Sequence, residues 1–134
     1  IFIQNWQVLA LATAFAVFTF GSMALVITPA VYLIIGYVLT QMALAGYSPL
    51  LLIPAIAVHG IVEIPVIIIA TASALRLGAV ITKPPQGATV GQAWTLAFAD
   101  MVKLWLGVIL PGLLLAALIE ATVTPAVMQA LLSR

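Results

Sequence analysis

The chain has 134 residues, 66% of them hydrophobic and 5% charged, with a mean hydropathy of +1.35 and a net charge of +1. So few charges cannot cover the surface of a soluble domain, and the near-neutral balance gives nucleic acid nothing to bind. No cysteine is present, which excludes disulfides, thiolate chemistry and cysteine-ligated metals.

No basic n-region with a small-residue cleavage site opens the chain, so no signal peptide is expected. Trp6 to Ile27 is the first candidate span, without a charge over 22 residues, enough to cross ~30 Å of hydrocarbon at ~1.5 Å per residue. Gln4, Asn5, Trp6 and Gln7 suit the headgroup boundary. Ala10 with Ala14, and Ala12 with Ala16, give spacings that let a neighbouring helix approach closely. Thr28-Pro29 reads as the turn, because proline lacks an N–H and disfavours helix at the residue before it. Ala30 to Ala45 is then a shorter second span, closed by Gly46-Tyr47-Ser48-Pro49.

Leu50 to Val80 is too long for one simple crossing: 31 residues reach ~46 Å against ~30 Å of hydrocarbon. Pro54, Gly60 and Pro65 interrupt it. The expected arrangement is a half-helix over about 50–58, a break within 58–65 near His59-Gly60, and a full span to about residue 80. The alternative is one long, kinked and tilted helix. Thr82 to Gln92 is a hydrophilic loop. Ala93 to Leu110 is amphipathic, with Gln92, Thr95, Ala99, Asp100 and Lys103 on one face and Trp94, Phe98, Met101, Val102 and Trp105 largely elsewhere. It reads as a short helix lying in the membrane interface. Leu110-Pro111-Gly112 ends it, and Leu113 to Leu132, kinked at Pro125, is the last span.

His59 and Glu63 are four apart and share a helix face. They read either as an intramembrane proton-handling or ligand-binding pair, or as a structural pair that satisfies backbone freed by Gly60 and Pro65. One histidine and one carboxylate fall short of a metal site unless Glu120 or a second subunit joins. Arg76 cannot meet Glu63 on one helix, since thirteen residues give ~20 Å of rise and roughly 220° of turn. Arg76, Lys83 and Lys103 read as interface anchors, with Asp100 a second partner for Arg76. Glu120 falls ~18 Å from the end of the last helix, near mid-membrane. It is expected to converge with His59 and Glu63 within hydrogen-bonding or one-water reach, because isolated polar groups at depth are costly. The alternative is Glu120 facing a water-filled crevice alone. Ser22, Ser48, Ser73 and Ser133 have no nearby base, and no P-loop or dinucleotide loop is present. No catalytic residue, metal or cofactor is therefore expected, and the chain does not read as an enzyme.

Two separated blocks carry a family pattern: His59-Gly60-x-x-Glu63-x-Pro65, Ala70 and Leu75-Arg76-Leu77-Gly78, then Ile119-Glu120-Ala121 and Thr124-Pro125. In order and content they resemble the stage II sporulation protein M family, with Phe2-x-x-Asn5 and Gly36 as looser matches. The chain departs at Gln4 and Gln7, where relatives have asparagine and a basic residue, at Ile35, and at Thr71 and Ala74, where they have glycines. The resemblance implies an integral membrane subunit whose namesake works in a complex that remodels peptidoglycan during spore engulfment. Relatives usually carry more chain before this point, so a further N-terminal helix is expected there.

The reading is an all-α, polytopic transmembrane bundle: one transmembrane domain over 1–134, about four spans, and one or two short extra helices. The expected function is a scaffold or assembly subunit of a cell-membrane complex, multi-pass in the bilayer. Its expected partners are other membrane proteins or extracytoplasmic enzymes, or a second copy of itself. The alternative is a small transporter or channel with a midplane site at His59, Glu63 and Glu120. Arg76, Lys83 and Lys103 flank one loop, which positive-inside bias places in the cytoplasm.

Overall fold

A computed structural model describes residues 2–48 and 52–133. All regular structure among them is helical: α1 (Phe2–Phe18), α2 (Ser22–Leu44), α3 (Leu52–Thr82), α4 (Val90–Leu104), a π-helical turn (Trp105–Ile109) and α5 (Leu110–Leu132). The expected closing turn at Pro49 and the start of the third segment at Leu50 lie outside the described residues, as does Arg134.

α3 is the axis, packed against α1, α2, α4 and α5. Its contacts with α1 keep one register: Asn5 meets Glu63, Ala16 meets Ala74 and the Phe20 carbonyl meets Gly78, each pair 58 residues apart. α1 therefore runs parallel to α3. α4 and α5 run antiparallel to it, with Asp100 beside Arg76 and Gly112 against Val66. Leu9, Val66, Ala70, Ile109 and Leu113 form the main core, and Leu77, Ala97 and Met101 a second one toward the loop. Of the small-residue pairs on α1, Ala12 and Ala16 are the buried one. Large side chains face outward: Phe18 is 80% exposed, Ile61 75% and Leu33 74%. Such apolar surface suits lipid, not water. On α3 the buried Ser73 hydroxyl donates to the Ala70 carbonyl and the part-buried Thr71 hydroxyl to the Ile67 carbonyl, both at 2.8 Å.

Three expected boundaries move. The first turn is at Thr19–Gly21, not Thr28-Pro29. Pro29 sits inside α2, so the first two helices are Phe2–Phe18 and Ser22–Leu44. Phe20 and Gly21 adopt left-handed backbone, φ 52° and 83°. The turn also satisfies the helix ends it creates. Thr19 Oγ1 donates to the Phe15 carbonyl at 2.8 Å and accepts from the Met23 N–H at 3.3 Å, and Ser22 Oγ donates to the Thr19 carbonyl at 2.7 Å. Its seat is Gly78: a Cβ there would collide with the Phe20 carbonyl and lie 2.7 Å from the Gly21 nitrogen.

The break expected within 58–65 does not occur. α3 is helical from Leu52 to Thr82, through both Gly60 and Pro65. Pro54 falls in the first turn, where its missing N–H has no intrahelical partner to lose. Pro65 forfeits a single bond, a loss that a helix packed on several neighbours absorbs.

The expected amphipathic helix over 93–110 is not a separate element lying in the interface. α4 packs lengthwise on α3 through Ala93, Ala97 and Met101, and continues into α5 without a loop. Pro111 and Gly112 do not end it. The π turn before them carries the Leu110 N–H to the Trp105 carbonyl, skipping one position and widening the helix just ahead of the proline. The start of α4 is fixed by a capping box. The Thr89 hydroxyl accepts from the Gln92 N–H at 3.3 Å and the Gln92 side chain accepts from the Thr89 N–H at 3.0 Å.

Candidate functional site

The continuous α3 puts His59 and Glu63 one turn apart on one face. His59 Nε2 lies 3.8 Å from Glu63 Oε2, too long for a direct hydrogen bond but close enough for an ion pair once the ring is protonated. The other Glu63 oxygen, Oε1, accepts from Asn5 Nδ2 at 2.6 Å. Both ionisable side chains are mostly buried, at 17% and 19% exposure. His59 Nδ1 is buried without a partner among the described residues.

Glu120 reaches this region from α5. From the Val66–Gly112 contact, eight residues along α5 rise ~12 Å and seven residues back along α3 rise ~10 Å, so Glu120 lies level with His59. No direct bond joins Glu120 to Glu63 among the described residues. Among the described residues no three His, Asp or Glu side chains are close enough to hold a metal ion. One turn beyond Glu120, the Thr124 hydroxyl is buried without a partner, while Pro125 is exposed.

Asn5 was expected at the headgroup boundary. It supplies the shortest polar contact of the site, from a helix that no local pattern directs here. Its only signal is an amide side chain at the start of an apolar helix. Tyr32 is the second addition. With Ile35 of α2 it walls a cleft of about 70 Å³ whose α3 side is Ile56, His59, Gly60, Glu63, Ile64 and Ile67. Gly60 has ordinary space around it: a Cβ would stand 3.6 Å from the Ile64 side chain.

The expected anchors lie toward the other end of α3. Arg76 Nη1 pairs with Asp100 Oδ2 at 3.0 Å, and Lys103 Nζ with Asp100 Oδ1 at 3.4 Å. Lys83 is exposed just past the end of α3. Arg76 was expected either to snorkel to the nearby interface with Lys83 or to meet Asp100, and the Asp100 contact is present. Gly78, two residues on, carries the backbone of the α1–α2 turn.

Two helical stretches are long and apolar enough to cross a membrane, Ile56–Thr82 and Val90–Ala130, with shorter apolar stretches at Asn5–Phe18 and Tyr32–Leu44. A family model described as "Stage II sporulation protein M" matches residues 1–125. No curated protein and no solved structure matches the chain.

Proposed function

Since this chain belongs to the stage II sporulation protein M family and is a membrane protein of that type, we propose that it is a multi-pass scaffold or assembly subunit of a cell-membrane complex, with no catalysis of its own. The Asn5–Glu63 bond supports this reading best. A carboxylate and an amide on different helices, 58 residues apart, spend their polarity on each other. That is what a fixed, load-sharing bundle requires of polar groups at depth.

The cleft beside them weighs against the other reading, a small transporter or channel. Its ~70 Å³ is far below the ~300 Å³ at which small-molecule pockets begin, and half of its lining residues are isoleucine. A bundle that holds its polar groups between its own helices leaves its outer faces for partner helices, for a second copy, or for the membrane anchors of extracytoplasmic enzymes.

The test pairs two measurements on the tagged full chain. Extraction in native-lipid nanodiscs should yield a stoichiometric complex with another membrane protein, reversible by neither salt nor dilution. Reconstitution of the purified chain into liposomes should give no proton or solute flux above empty vesicles. A chain that stays alone in native lipid and conducts, with flux lost in Glu63→Gln, would reverse the assignment in favour of the transporter.

A further inference from the structure

We propose that Arg76 and Lys103, held together by Asp100, form a clamp for the phosphate of an anionic phospholipid at the loop end of the bundle. The chain has four basic residues, and Arg76, Lys83 and Lys103 gather at this end with Asp100 alone against them. Three positive charges and one negative leave an excess of two positive charges. The geometry converges them. Arg76 comes from α3 and Lys103 from α4, and one carboxylate bridges both at 3.0 and 3.4 Å. Lys83 follows one residue after the end of α3, at the same end of the bundle.

Asp100 does not cancel the site. The ion pair meets the five-donor guanidinium fork at Nη1, and the cationic side chains stay 58% and 78% exposed while Asp100 is 39% exposed. The carboxylate fixes the spacing of two cations whose outward donors can take a phosphate oxygen each, Arg76 in its bidentate manner. The level suits a headgroup. Arg76 is two residues from Gly78, where the α1–α2 turn docks. That turn exposes Phe18 by 80% and Phe20 by 60%, and the polar 83–89 loop follows. Basic side chains that flank a polar loop at the end of apolar helices mark a lipid–water boundary. A free phosphate has the same chemistry, but only a lipid is fixed at that depth.

The experiment uses the full chain in nanodiscs of equal phosphatidylglycerol and phosphatidylcholine, followed by native mass spectrometry of the lipids that stay bound. Wild type should retain phosphatidylglycerol preferentially. Lys103→Gln should weaken that preference about fivefold, and Arg76→Gln with Lys103→Gln about 25-fold, while Lys103→Arg keeps it. Lys103 is 78% exposed, so its single variant reports on the site whether or not the double variant folds. Equal retention of the two lipids by wild type overturns the proposal. So does an unchanged preference in folded Lys103→Gln and double variants. Displacement of the lipid by millimolar inorganic phosphate would assign the site to a free anion and also overturn it.

Discussion

Asn5 donates to Glu63 at 2.6 Å, tying the first turns of α1 to α3 across 58 residues of chain. The bond lies beside His59, and it is the direct side-chain link between helices in this polar region among the described residues. Removing Asn5 leaves an acceptor buried without its donor, whereas removing both removes the problem. Asn5→Leu should therefore cost about 1 kcal/mol of stability in detergent, Glu63→Leu a similar amount, and Asn5→Leu with Glu63→Leu less than the sum of these two singles. A double-mutant cycle read by thermal unfolding checks this. Additive losses would mean the bond carries no coupling.

Gly78 and Gly60 look alike in sequence and should behave oppositely. At Gly78 a methyl meets the Phe20 carbonyl and the Gly21 nitrogen, which are backbone and cannot rotate away. Gly78→Ala should destabilise by about 1–3 kcal/mol and loosen the α1–α2 turn. At Gly60 the same methyl meets only the Ile64 and Ile56 side chains, at 3.6 and 4.0 Å, inside a continuous helix. Gly60→Ala should be neutral or stabilise by about 0.5–1 kcal/mol, because alanine is the better helix former. Circular dichroism melts of the two variants give the comparison. Damage from Gly60→Ala equal to that from Gly78→Ala would restore the broken-helix picture.

The Arg76–Asp100–Lys103 group is exposed to screening. Asp100→Asn should lower stability slightly at low salt, because both cations lose their counter-charge. The difference from wild type should vanish near about 1 M salt, where the screening length falls to ~3 Å. Melting curves at two salt concentrations decide it. A gap that persists at high salt would make the group a packing element instead of an electrostatic one.

The loop 83–89 should face the cytoplasm, because Arg76, Lys83 and Lys103 flank it against Asp100 alone. A cysteine at Gln86 should stay unmodified by an impermeant thiol reagent added outside intact cells and react after permeabilisation. Labelling from outside would invert the topology.

What the sequence determined by itself is what depends on composition and on short spacing. Hydropathy is a sum over residues, so the helical, membrane-bound character was legible, and so was the shared face of His59 and Glu63 at four residues' separation. Which helix-breakers break was decided only by tertiary structure. Pro29, Gly60, Pro65, Pro111 and Gly112 all sit within helices or the π turn's continuation, while Thr19–Gly21 became the turn. An apolar helix packed on neighbours tolerates one missing hydrogen bond, so a proline there is a weak stop signal. The actual stop depends on Gly78, which alone leaves room for the Phe20 carbonyl from 58 residues away. Asn5 follows the same logic. Nothing local distinguishes an amide at a headgroup from one bonded to a distant carboxylate, and only the parallel register of α1 on α3 makes it the latter.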